Sequence, residues 1–376
     1  MPYPVPLDHF KGLFGLLVRQ TYRRVLIGKR STTVAPVVRS SEMTKRCSPR
    51  PLAFIWSMSQ NCVYFNFYVF FMLGFREIFM NTISVKRKLT GASVGIPPRH
   101  VTFSMAEDSP RYFYGNNATA TIFFAMLSGA FPPGERFFME SVRRFRDRIE
   151  DDHLKAQVSG FMGQEAIHGR EHDRLNAMLA ERGFDMEASD KIVKLGLKVF
   201  NLMPPSTRLA ATTFMEHFTA LLAEQLLKDE GFVALADPEM IKIWQWHALE
   251  ELEHKAVAYD VYDKIGNSRL ERLVAALASS LVLIPMLGGT WAWMLAKEGK
   301  LGSAKDNING INMLFGKNGF ITKTIPKMPL FCKQGFHPKD HDTSELESAW
   351  REILFGKNGT LAFDFKNKVV LQESMH

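Results

Sequence analysis

Two short strings hold the residues best suited to chemistry. In GQEAIHGREH (163–172), Glu165, His168 and His172 fall at i, i+3 and i+7, so one face of one helix carries a carboxylate and two imidazoles. Phe161 and Leu175 share that face, which predicts that it points inward. Downstream, WHALEELEHKA (246–256) repeats Glu-x-x-His at Glu251 and His254, with His247 four residues before Glu251. Each Glu-x-x-His places a carboxylate and an imidazole one turn apart, near enough to grip one metal ion.

One such motif is weak, because Glu and His are common in helices. Two become informative if each faces a further Glu on the preceding helix. Residues equidistant from the turn of an antiparallel helix pair lie side by side. Glu135 and Glu165 are centred on residue 150, in IEDDH; Glu216 and Glu251 are centred near 233, in DEGFVALADP. Both midpoints coincide with predicted turns. Two hairpins would thus each bring Glu plus Glu-x-x-His to one level of a bundle, the pattern of ferritin-like di-iron or di-manganese carboxylate proteins. The rivals fit less well. Glu140 lies about 140° around the helix from Glu135. Glu224 moves the midpoint with Glu251 into the next helix. Glu253 points away from His247 and His254, while Glu250 is adjacent and could substitute for Glu251. His153 and His217 read as surface or capping residues.

Charge balance favours cations. Four buried carboxylates alone would be prohibitively costly. Two divalent ions neutralise them, and histidines add nitrogen ligands without adding charge. Such a donor set suits iron, with manganese as the other option, whereas structural zinc favours thiolates. The expected ligands are Glu135, Glu165 and His168 for one ion, and Glu216, Glu251, His254 and His247 for the other. His172 is expected either as a ligand or as a hydrogen-bond partner behind one.

The elements that must position these residues are helical. Over residues 100–265 helix signals dominate and strand alternation is scarce. Four main helices are predicted at about 117–148, 152–182, 205–229 and 238–265, with a bridging helix at 190–202. The first should be interrupted near FPPGE, where Pro132 and Pro133 suit the start of a new segment. The expected fold is all-α: a ferritin-like antiparallel four-helix bundle (83–270), an apolar helical segment (271–300), a loop-rich C-terminal region (301–376) and an N-terminal extension (1–82). The run LVAALASSLVLIPMLGGTWAWMLA (273–296) is uncharged between Arg272 and Lys297. It reads as a membrane-contacting segment, with Pro285, Gly288 and Gly289 predicting a broken or re-entrant helix. LFGKNG occurs at 314–319 and again at 354–359, predicting two similar turns.

Composition excludes several classes. The 376-residue chain has a net charge of +8, but residues 1–50 hold ten Lys or Arg against two acids, which accounts for all of it. The remainder is near neutral, so no nucleic-acid-binding body is indicated. The basic and apolar stretch 9–30 fits a membrane-surface helix, a targeting segment or a loosely ordered tail. The uncharged stretch 52–75 is long enough to span a bilayer but carries several polar residues. Cys47, Cys62 and Cys332 lie far apart with no CxxC, arguing against disulfides and fitting a reducing, cytoplasmic setting, with membrane association left open. There is no phosphate-cradling Gly loop, dinucleotide fingerprint or Ser/His/Asp elbow.

FPPGERFF (131–138), GQEAIHGREH (163–172), EELEHKAVAYDVY (250–262) and GFHP (335–338) resemble a family of predicted metal-dependent hydrolases with a ferritin-like helical core, over about residues 83–345. The resemblance implies Glu135, Glu165, His168, Glu251 and His254 as metal-site positions. FHPKD departs from the family's usual aromatic-containing turn. The spacing His247-x-x-x-Glu251-x-x-His254 also resembles arylamine N-oxygenases, which implies His247 as a third histidine ligand.

The leading expectation is an O2-dependent non-haem di-iron oxygenase or oxidase acting on an apolar or amphipathic small molecule. Its partners would be substrate, O2 and an external electron donor, with a membrane surface and a homodimer left open. The alternative is a metal-dependent hydrolase using a hydroxide held by the two metals. A non-catalytic iron-binding bundle is the third option.

Overall fold

A computed structural model describes residues 88–104, 108–362 and 364. The extension expected at 1–82, with its stretches 9–30 and 52–75, lies outside them. Among the described residues the regular structure is helical, and the β pairing is an isolated bridge between Tyr114 and Ala236. The longer helices are α1 (Ala118–Arg143), α2 (Asp152–Glu181), α3 (Met186–Asn201), α4 (Pro205–Lys228), α5 (Met240–His254), α6 (Val257–Lys264), α7 (Arg269–Lys297), α8 (Ala304–Phe315) and α9 (Ser344–Phe355). A bundle is formed by α1 packed on α2 and α4 packed on α5 and α6.

Local chemistry explains the boundaries. The Asn117 side chain caps α1 by accepting from the Ala120 N–H, and Asp151 caps α2 by accepting from the His153 N–H. Beyond α2 the chain turns at Gly183, whose φ of +88° suits glycine. The two LFGKNG strings make the same helix-ending turn after α8 and α9. The Gly316 N–H meets Asn312 O at 3.0 Å, and the Gly356 N–H meets Glu352 O at 2.9 Å. Leu314 and Leu354 are fully buried above them.

Three expectations about continuity are corrected. First, α1 runs unbroken through Pro132 and Pro133; packing on α2 and the neighbouring helices outweighs the two lost helical hydrogen bonds. Second, the expected single helix over 238–265 is two, α5 and α6, parted at Lys255 and Ala256. Third, the 273–296 run is one continuous helix, α7, through Pro285. This helix is long and apolar enough to cross a bilayer by length and composition. Ala275, Ala276, Ala278, Met294 and Leu295 on it are nonetheless buried, while Leu270, Val274, Leu277, Leu281 and Ile284 are exposed.

The core has two apolar clusters. One gathers Ile122 and Phe124 of α1, Leu175 of α2, Leu226 of α4 and Trp246 of α5. The other gathers Phe138, Phe161, Leu209, Ala211, Val257 and Tyr262. On α1, α2 and α4, polar residues lie between those of one cluster and those of the other, and the α5–α6 junction divides the clusters at the same level. That layer holds Glu135, Glu165, His168, Glu216, Glu251 and His254, each at most 4 % exposed.

Candidate metal centre

Helical periodicity carries these side chains into the layer, and close backbone approach makes room for them. A Cβ on Gly169 would stand 3.0 Å from Glu135 Oε2. A Cβ on Gly163 would stand 2.5 Å from Pro98 Cγ, and one on Gly160 the same distance from Ile96 O. Those glycines let the segment before α1 lie against α2 and deliver Arg99 to the back of the site.

The structure brings seven of the eight candidate residues together. Three sets have donor atoms mutually within 4.8 Å: Glu135, His168 and His247; Glu165, His168 and Glu251; Glu165, Glu216 and His254. Glu251 Oε1 lies 3.0 Å from His247 Nε2, 3.5 Å from His254 Nε2 and 3.8 Å from His168 Nδ1. Glu165 Oε1 lies 3.1 Å from His254 Nε2. Glu165 and Glu251 thus stand between two ends of one cluster.

The grouping differs from the expected one at His247. His247 lies with Glu135 and His168, not with Glu216 and His254, because its ring stacks on His168 with centroids 4.1 Å apart. His172 is in none of the three sets; its Nε2 lies 2.8 Å from His247 Nδ1, one layer further out. His217, expected at the surface or in a cap, is buried at 8 % exposure beside Phe331 and Phe336. Burial pushes its imidazole down to about 4.

The donor atoms are left bare in a way that suits cations. Both oxygens of Glu135, Glu165 and Glu216, together with Glu251 Oε2, His168 Nδ1 and His254 Nε2, are buried without a hydrogen-bond partner. Buried polar groups are rarely left so. Burial, reinforced by Glu165 and Glu251, pushes the Glu135 carboxyl well above its ordinary range. Burial and Glu165 do the same to Glu216. At Glu251 burial pushes upward too, but His254 and His247 outweigh it and hold the group low. Four carboxylates and three imidazoles of this kind fit two divalent ions.

Behind the cluster, a second set of residues orients two of the imidazoles. His168 Nε2 lies 3.0 Å from Glu250 Oε2, so its N–H donates outward and Nδ1 faces the centre. Glu250 also accepts from Arg99 and from Trp246 Nε1, each at 3.0 Å. Burial pushes its carboxyl up to about 8 against the pull of Arg99; both of those donors reach Oε1, and Oε2 is left to His168. His254 Nδ1 lies 2.9 Å from Gln164 Oε1. The Gln164 amide N–H groups donate to Glu253 and to Pro97 O, at 2.8 and 3.2 Å, so its oxygen must face His254. Arg99 closes the network with two 2.7 Å bonds to Glu253.

Of this outer set, sequence reasoning weighed Glu250 and Glu253 only as rival ligands and missed Arg99, Gln164 and Trp246. A local signal existed for Gln164 and Glu250, each beside a motif glutamate, but none for Arg99. His337, in the turn that departs from the family pattern, pairs with Asp260 at 2.8 Å and lies in none of the three sets. A cavity of about 40 Å3, walled by Phe124, Leu127, Phe131, Leu222 and Trp244, reaches His247 and Glu251.

No curated protein and no solved structure matches this chain. A family model described as predicted metal-dependent hydrolase matches residues 97–342, which include every residue of the cluster and its supports. Two buried Glu-x-x-His motifs, their facing glutamates and this match over most of the chain make it a member of the predicted metal-dependent hydrolase family.

Proposed function

We propose that the chain is a metal-dependent hydrolase with a dinuclear centre. Glu135, His168 and His247 would hold one ion, Glu216 and His254 the other, and Glu165 and Glu251 would bridge them. The observation that carries this reading is the set of buried carboxylate oxygens and imidazole nitrogens without partners, inside the segment that matches the family. Bound divalent ions would acidify a water and polarise a carbonyl or phosphoryl oxygen.

The protein's own groups would do the rest. Glu250 and Gln164 keep His168 and His254 in the tautomers that turn a lone pair inward. Phe131, Trp244 and Leu222 wall the approach to His247 and Glu251, exclude water and favour an apolar substrate group.

A second reading, an O2-dependent oxidoreductase, is favoured by the donor chemistry. Carboxylates and imidazoles from paired bundle helices, without thiolates and beside an apolar cavity, suit di-iron sites that use O2. Iron or manganese would serve either reading.

The test is reconstitution with Mn2+ or Fe2+ and assay under argon on aryl esters and phosphoesters of increasing alkyl length. Turnover without O2, lost in Glu251→Gln, is the result expected. O2 uptake by the ferrous protein with no ester or phosphoester turnover would replace hydrolysis by the second reading.

A further inference from the structure

The third imidazole, His247, has neither a carboxylate nor a glutamine behind it. Its outer nitrogen leads instead to a chain of side chains that starts at a proline. Pro132 has no N–H, so the Ser128 carbonyl one turn earlier loses its helical donor. Asn176 Nδ2 of α2 takes that place and donates to Ser128 O at 3.1 Å. A carbonyl can only accept, so the Asn176 amide cannot be reversed without setting oxygen against oxygen.

The consequences run in one direction. Asn176 Oδ1 must face the Ser128 hydroxyl, which donates to it at 2.7 Å. With its proton so committed, Ser128 Oγ can only accept from His172 Nδ1, 2.9 Å away. The His172 ring is fully buried against Phe131 and Trp244 and makes no hydrogen bond to a carboxylate. Such surroundings keep an imidazole neutral, with a single proton. That proton is on Nδ1, so His172 Nε2 is bare. It accepts, over 2.8 Å, from His247 Nδ1. His247 therefore keeps a proton on its outer nitrogen and turns Nε2 to the centre, 3.0 Å from Glu251 Oε1 and 3.9 Å from Glu135 Oε1.

We propose that Asn176, Ser128 and His172 form a one-way hydrogen-bond relay that locks the His247 proton on Nδ1 and makes Nε2 its metal-facing atom. The three are positioning residues. The proposal rests on the reading of His247 as a ligand, and it gives His172 a role other than ligation. It also gives Pro132 a purpose: the helical bond it removes frees the carbonyl that sets the relay's direction.

Long-range 1H–15N correlation spectra of the 15N-labelled, metal-free full chain test it. His172 should show a proton on Nδ1 and a bare Nε2, and His247 a proton on Nδ1. A His172 proton on Nε2 in the wild type would overturn the relay, and this measurement needs no variant to fold. Equilibrium dialysis with Mn2+ is the second arm. Ser128→Ala and Asn176→Leu should each weaken binding about 10-fold, as loss of a partner behind a ligand does. Wild-type Mn2+ affinity in both folded variants would also overturn it. If the wild type shows the expected tautomers yet binds no Mn2+, the relay stands and the dinuclear reading falls.

Discussion

Two glutamates on α4, two turns apart, meet burial in opposite ways. Glu224, 2 % exposed, accepts from Lys228 at 2.6 Å, Lys327 at 2.8 Å and His341 at 2.9 Å. Burial pushes its carboxyl upward, but these three partners outweigh it and bring it down to about 2. Glu216, 1 % exposed, has no partner on either oxygen, and burial with Glu165 pushes it well up. The same contrast separates Glu253, which burial pushes up but Arg99 and Arg351 hold below its ordinary value, from Glu135 and Glu216. Where a buried carboxylate serves structure, this chain provides the cation itself. At the centre it provides imidazoles only, and the balance must come from outside the chain.

That contrast can be broken most sharply at the carboxylates between the two ends. Glu165→Ala and Glu251→Ala should each take metal content from about two ions per chain to near zero, read by elemental analysis of folded protein. Retention of both ions in Glu251→Ala would remove Glu251 from the bridging place proposed for it.

Arg99→Met should cost about 3–5 kcal/mol in chemical denaturation, because it strips the internal cation from two buried carboxylates. A loss below about 1 kcal/mol would mean that Arg351, whose Nε donates to Glu253 at 2.7 Å, balances that carboxylate alone and that Glu250 needs no cation.

Glu224→Gln should cost about 1–2 kcal/mol near neutrality, after allowance for screening of its partly exposed lysines. The folded-state value of about 2 lies below the ordinary carboxyl value. Its stabilisation is therefore present above that ordinary value and is lost as pH falls through about 2, so the gap between variant and wild type should close in acid. Urea melts across pH check the sign.

Glu216→Gln should act in the opposite sense. In metal-free protein it should stabilise by up to about 1 kcal/mol, since it deletes a carboxyl that burial and Glu165 make costly to ionise. With Mn2+ present it should lose that advantage through weaker binding. Destabilisation of the metal-free form by Glu216→Gln would erase the distinction from Glu224. On α7, Leu281→Lys should stay within about 0.5 kcal/mol of wild type, as its side chain is 66 % exposed.

What the sequence determined by itself was local and periodic. Glu165 with His168, and Glu251 with His254, share a helical face because side-chain direction repeats every 3.6 residues. Glu135 and Glu216 could be matched to them because a hairpin pairs residues equidistant from its turn. The helix over about 152–182 and the all-α fold were legible for the same reason. Tertiary structure decided what depends on contacts between distant segments. His247 joins Glu135 and His168 through ring stacking that spacing along α5 does not encode. His172 falls one layer outside although its spacing is perfect, because α5 presents His247 between it and the centre. Arg99 reaches Glu250 across 151 residues, and no local pattern marks it. Pro132, Pro133 and Pro285 read as breaks, yet packing holds α1 and α7 continuous, and a hydrogen bond freed in one helix is answered from another. Periodicity is a property of one helix, whereas charge balance, tautomers and ligand grouping belong to the space between helices.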